Sequence, residues 1–138
     1  PWKTKSEKKS RDCWCGKIDC IEKYISGPSL EKEYLNKFGT KKPLKMIVDN
    51  SLKGDENCLL LMDQFISRVA RCFASVINFL DPDVIVIGGG LSNIERIYTD
   101  VPKIWSKWIF SGRAETKILK AMHGDSSGVR GAAWLNKN

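Results

Sequence analysis

Three features of the chain predict an α/β fold. The first is Val84-Ile85-Val86-Ile87, four consecutive β-branched residues with no polar alternation, which read as a strand covered on both faces, as parallel strands are. The second is the run Gly88-Gly89-Gly90 directly after it, at the carboxyl edge where open α/β sheets take their ligands. The third is the long segment opened by Asp55, whose apolar residues recur three and four apart from Leu59 to Leu80 and so form one face of a helix. Asp81-Pro82 ends that helix, because proline fixes its own φ and the residue before it avoids helical angles. The strand then starts at Asp83.

The 138 residues suffice for one ordinary domain, and 42% apolar content fits a globular chain. No window carries the eighteen apolar residues of a membrane helix, and Pro1-Trp2-Lys3-Thr4-Lys5 has no signal-peptide core. A cytoplasmic protein is therefore expected, without a membrane partner. The net charge of +7 permits an anionic ligand. Much of the excess sits in Lys3, Lys5, Lys8, Lys9 and Arg11; without aromatic interleaving, such a lead-in is a solvated tail before it is a nucleic-acid arm. Residues 1–12 are read as a basic connector, and no nucleic-acid partner is expected.

Next comes Cys13-Trp14-Cys15-Gly16-Lys17-Ile18-Asp19-Cys20. Three thiols on a loop kinked at Gly16 suit zinc in a reducing compartment better than a disulfide framework. A fourth ligand is not visible nearby. His123, the one histidine, is far off in sequence and reads as a structural residue before it reads as a ligand. Ile21 to Gly27 forms a short helix closed by Gly27, with Ile21, Tyr24 and Ile25 on one face. Glu22 is either a carboxylate held for a hydroxyl-rich substrate or an ordinary solvated glutamate.

Pro28 to Phe38 is expected to be a helix capped by Ser29 and ended by Gly39, and Leu44 to Leu52 another, ending near Gly54. Cys58 and Cys72, inside the long helix, act as small apolar residues. After Gly90, Ser92 can cap a helix running to Trp108, with Pro102 as an irregularity. Thr116 to Met122 alternates as a second strand, parallel to the first. His123-Gly124-Asp125-Ser126-Ser127-Gly128 leads into a last helix, Val129 to Leu135. Its hydroxyls either cap that helix or hold an anion. The glycines at 88–90 lack GxGxxG spacing, so a tight turn that binds nothing stays beside the ligand reading.

Three motifs in order then resemble one family. Cys13-x-Cys15-Gly16-x-x-x-Cys20-x-Glu22, followed by Ser26-Gly27, resembles the cysteine signature of ROK proteins, the bacterial sugar kinases and repressors built on the actin-like, ribonuclease-H-like ATPase fold. Asp81 to Ser92 resembles their adenosine-side strand and turn. His123 to Trp134 is similar to the carboxyl-terminal signature of the fructokinase and N-acetylhexosamine kinase branch. The resemblance implies that residues 13–138 form the carboxyl-terminal lobe of a ROK kinase-like fold, incomplete, with 13–27 as zinc loop and short helix and 55–138 as a helix-strand-helix-strand-helix core. It also implies that Cys13, Cys15 and Cys20 bind zinc, that Glu22 contacts sugar hydroxyls, and that Gly88, Gly89 and Gly90 lie beside the adenosine of ATP. An upstream histidine is implied as the fourth zinc ligand.

Asp19 departs from the family, which has glycine there; if that position needs positive φ, Asp is among the few residues that tolerate it. The family's phosphate loop and catalytic aspartate have no match in this sequence, so no catalytic residue is assigned. The expected function is therefore one lobe of an ATP- and Mg²⁺-dependent hexose kinase of fructokinase type, inactive as an isolated chain. The alternatives are the effector domain of a ROK transcriptional repressor and a zinc-stabilised remnant without catalysis. Apolar surface left bare by one lobe would pair, so a homodimer is expected.

Overall fold

The computed structural model describes Thr4, Glu7 and residues 10–123 and 127–135. Lys3, Lys5, Lys8, Lys9, Gly124 and the capping side chains expected of Asp125, Ser126 and Ser127 lie outside that description. The chain divides after Cys72 into two compact units.

In the first unit, α1 (Glu22–Ile25) is followed directly by α2 (Gly27–Phe38). Gly27 does not close α1, as expected, but opens α2. The residue between them is Ser26, extended at φ −87° and ψ 154°, whose hydroxyl accepts the Ser29 N–H. Ser26 is therefore the N-cap rather than Ser29: Pro28 stands in the first helical turn, where its missing N–H is tolerated, so the cap lies ahead of it and Ser29 supplies the N–H that is capped. Gly39 ends α2 in the left-handed region at φ 73°, as a C-terminal glycine does. After α3 (Leu44–Leu52), Asp55 caps α4 (Glu56–Leu80) by accepting the Cys58 N–H at 2.9 Å. The core of this unit is built by Tyr24, Leu30, Tyr34, Ile47, Cys58, Leu61, Met62, Phe65 and Ile66. Burying each of the large side chains contributes about 1.5–3 kcal/mol.

The second unit takes the end of α4, then β1 (Val84–Ile87), α5 (Arg96–Thr99), α6 (Val101–Ile104), β2 (Lys117–Lys120) and α7 (Ser127–Trp134). β1 and β2 pair in parallel, Val84 opposite Lys117 and Ile87 opposite Lys120, as expected for the second strand. Thr116 extends the pairing by donating its hydroxyl to Pro82 O at 2.7 Å. The segment from Gly90 to Trp108 is not the single helix expected. It is a 3₁₀ turn (Gly90–Asn93), α5, α6 and another 3₁₀ turn (Trp105–Trp108). Pro102 lies in the first turn of α6, where its missing N–H is harmless, and a proline there starts a helix rather than continuing one. Ser92 is inside the first 3₁₀ turn and caps nothing.

β1 is not covered on both faces. Ile85 and Ile87 are half-buried, but Val84 is exposed and Val86 is 61% exposed. The apolar run signals a strand suited to two covered faces, whereas the described elements of this unit cover one. Among the described residues, no helix is long and apolar enough to cross a membrane.

Candidate functional site

The cysteine loop is closed by its own backbone. Asp12 and Ile18 form an antiparallel bridge, Cys13 N–H donates to Lys17 O at 2.9 Å, and Gly16 N–H donates to Cys13 O at 3.0 Å. Gly16 has φ 80°, a conformation that glycine adopts without steric cost. The tight turn folds Cys13 and Cys15 back towards Cys20, and the three Sγ atoms all lie within 4.8 Å of one another. Cys15 and Cys20 are 3.5 Å apart. Thiolates at about 2.3 Å from a tetrahedral zinc sit roughly 3.8 Å from each other, so the trio has the spacing of three corners of such a site. A fourth ligand is needed to complete it. His123 is exposed and belongs to the second unit.

The thiols tune one another. Backbone N–H bonding at Lys17, with hydrogen bonds from Cys13 and Cys20, lowers the Cys15 pKa, while Cys15 and Cys13 push the Cys20 thiol up to about 11. Three thiolates cannot crowd together uncompensated, and a dication at their centre removes that conflict. Cys58 takes no part: it is buried in α4 and contacts Lys42 Nζ at 3.3 Å. Cys72 is half-buried, and burial pushes its thiol pKa up.

Asp19 has φ 61°, so the position does require positive φ. Glu22, in the first turn of α1, is half-exposed and pairs with Lys23 at 3.3 Å. It lines a cleft of about 910 Å³ within the first unit. Five carboxylates (Glu7, Asp12, Glu22, Glu33, Asp63) and six basic groups (Arg11, Lys23, Lys32, Lys37, Arg68, Arg71) share that lining. The near balance of charge suits a neutral, hydroxyl-rich ligand better than a polyanion.

Sequence reasoning missed the ionic centre beneath this cleft. Arg68 is 2% exposed and grips Glu33 with two bonds, 2.7 Å from Nη1 and 3.0 Å from Nη2. Its Nε donates to Glu7 at 2.7 Å, and Arg71 bonds the same carboxylate at 2.8 and 2.9 Å. Arg11 and Lys37 reach Glu33 at 2.8 and 2.7 Å. Arg11 is therefore a partner in this centre rather than part of a solvated tail. Burial would raise both glutamates' pKa values, but hydrogen bonds outweigh it, from Arg68, Lys37 and Arg11 at Glu33 and from Thr4, Arg68 and Arg71 at Glu7. Each carboxyl is held at about 2. The available signal was Arg68 itself, a charge standing three residues after Phe65 and one before Val69 on the apolar stripe of α4.

In the second unit, the glycine turn follows β1 directly. Gly89 has φ 75° and ψ −177°, open to glycine and strained for other residues. A Cβ at Gly89 or Gly90 would meet nothing within 4 Å, while one at Gly88 would lie 3.9 Å from the Ala121 Cβ, an ordinary contact. The backbone beside the last two glycines is therefore open to close approach.

Solved structures define the fold class. A ROK hexokinase from Thermus thermophilus superposes with a TM-score of 0.75 over 91% of this chain and 43% of its own, at 25% identity. A ROK family transcriptional regulator, a homolog of the E. coli MLC protein, superposes with a TM-score of 0.69 over 85% of this chain and 33% of its own, at 16% identity. The actin-like ATPase fold of the ROK proteins is thus shared by a kinase and a regulator. Residues 4–138 match the ROK family, and the chain belongs to it. N-acetyl-D-glucosamine kinase from Vibrio atlanticus (strain LGP32) is 44% identical over 124 residues, covering 90% of this chain and 41% of that protein. The chain thus spans about two fifths of the length of the curated relatives it matches.

Proposed function

We propose that the chain is the carboxyl-terminal lobe of an ATP-dependent sugar kinase, phosphorylating a hexose when joined to the rest of a ROK protein. The observation that carries this reading is the convergence of Cys13, Cys15 and Cys20 immediately before Glu22, which itself lines a cleft with balanced charge. In this reading zinc, held by the three cysteines and a fourth ligand, stiffens the loop so that Glu22 accepts hydrogen bonds from sugar hydroxyls. Gly88, Gly89 and Gly90 pass beside the adenosine of ATP, whose Mg²⁺ and phosphates are handled by residues outside this chain. Identity to N-acetyl-D-glucosamine kinases favours an N-acetylhexosamine acceptor over fructose within the branch. Self-association as a homodimer and residence in the cytoplasm belong to the same reading.

The second reading is the effector domain of a ROK repressor, favoured by the fold match to a transcriptional regulator. The test joins zinc to activity. The purified 138-residue chain is expected to carry near-stoichiometric zinc that Cys15→Ala loses, and to phosphorylate neither fructose nor N-acetyl-D-glucosamine. A full-length protein containing this chain is expected to phosphorylate one of them, with Glu22→Gln raising its KM. Sugar binding by that full-length protein without ATP turnover would decide for the repressor. Phosphorylation by the 138 residues alone would overturn the single-lobe reading.

A further inference from the structure

We infer that Asp19 is a positioning residue, a latch that fixes the cysteine loop and the residues after it. Asp19 stands between the Asp12–Ile18 bridge and Cys20, in the left-handed region at φ 61°. Its backbone N–H donates to Arg11 O at 2.9 Å, and its carboxylate Oδ1 accepts the Arg11 N–H at 3.0 Å. The loop is thereby closed at its base by both groups of residue 11. The same Oδ1 accepts the hydroxyl of Tyr24, on the far side of Cys20 and Glu22. One carboxylate oxygen therefore ties the segment before the cysteines to the helix after them.

Both anchor points are themselves fixed. Tyr24 is 1% exposed, with the Arg11 guanidinium 4.0 Å above its ring and that of Arg68 at 5.7 Å. Arg11 also donates to Lys23 O at 2.6 Å and to Glu33 at 2.8 Å. The half-exposed thiol loop is thus fastened to the buried ionic centre through a carboxylate. Because Cys20 directly follows Asp19 in the chain, the backbone angles at residue 19 set where the third thiol stands relative to the other two. Glu22 follows two residues on, in the first turn of α1. An outward swing of the latch would separate Cys20 from Cys13 and Cys15 and turn Glu22 away from the cleft.

The inference rests on the metal reading above, and its test separates the two. Cobalt(II) replaces zinc as a probe, since thiolate coordination gives it a charge-transfer absorption in the near ultraviolet. Asp19→Gly relieves the positive φ but removes the carboxylate; Asp19→Asn tolerates the same φ and keeps an oxygen that accepts both bonds. The latch predicts that Asp19→Gly weakens cobalt affinity at least tenfold in spite of its relaxed backbone. Asp19→Asn should recover most of that loss, and Tyr24→Phe should fall between them. Asp19→Gly binding as tightly as the wild type would overturn the latch. If the wild type itself gives no thiolate–cobalt absorption, the metal reading fails, and the latch is read from amide hydrogen exchange instead. There, Asp19→Gly should speed exchange at Arg11 and across residues 13–20 about tenfold while α4 stays protected, and unchanged exchange would again overturn it.

Discussion

Arg68, in the unit that ends at Cys72, is 2% exposed and shared between two glutamates, whereas Phe110, in the unit that follows, is 99% exposed. The contrast extends beyond these two side chains. The first unit buries charge and compensates it, with Glu7, Glu33, Arg68 and Arg71 all below 10% exposure. Apolar groups stand in solvent in both units, Trp14 and Leu52 in the first, but more of them in the second, among them Phe79, Val86, Met122 and Trp134, and the second unit's sheet has two strands among the described residues. A buried ionic centre has a unique geometry, so the first unit specifies its own arrangement. Exposed apolar side chains specify only that something should cover them.

Removing one partner from the first unit should have the largest effect. Glu33→Ala leaves Arg68 buried without its bidentate acceptor and is expected to destabilise the unit by about 3–5 kcal/mol, measured by chemical denaturation. A loss below about 1 kcal/mol would mean that the centre is wetter than its exposure indicates, and the contrast between the units would weaken.

Acid should separate the units next. Glu7 and Glu33 are held at about 2 against an ordinary value of 4.5. Their contribution is therefore complete above about pH 4.5 and lost progressively as pH falls towards 2. Circular dichroism should report this as loss of the first unit's helices in acid, reduced in Glu33→Gln, whose amide does not titrate, while the fluorescence of Trp105, buried in the second unit, should change less. The smallest effect on stability is expected at the exposed face. Phe110→Asp should shift stability by no more than about 0.5 kcal/mol while lowering self-association seen by light scattering. Unchanged association would move the interface elsewhere.

Local chemistry was the most legible part. Proline, glycine and the apolar period act within a few residues, and they marked the start of α4, the end of α2 at Gly39, and the carboxyl end of β1, whose start is Val84 rather than Asp83. The cysteine spacing was equally direct, since a turn at Gly16 folds the three thiols together without help from distant parts. Legibility failed where two local signals competed, as at Ser26 and Ser29, either of which can cap α2. It also failed between Gly90 and Trp108, where an apolar period conceals four short pieces. The ionic centre was out of reach for another reason: Glu7, Arg11, Glu33 and Arg68 meet only in three dimensions, and no spacing rule joins residues 61 apart. Asp19 was half legible, its positive φ anticipated and its two bonded partners not.

Glu33 accepts three cations contributed by separate parts of the chain, and this restricts how the sequence can drift. Changing Glu33 alone leaves buried Arg68 with Glu7 as its carboxylate partner and its two terminal nitrogens without theirs, and changing Arg68 alone leaves Glu33 with only the more exposed Arg11 and Lys37. A simultaneous exchange of both for apolar residues of similar volume is far milder than the sum of its parts. Among relatives, positions 33 and 68 should therefore change as a pair or remain as they are, while the half-exposed cations around them come and go.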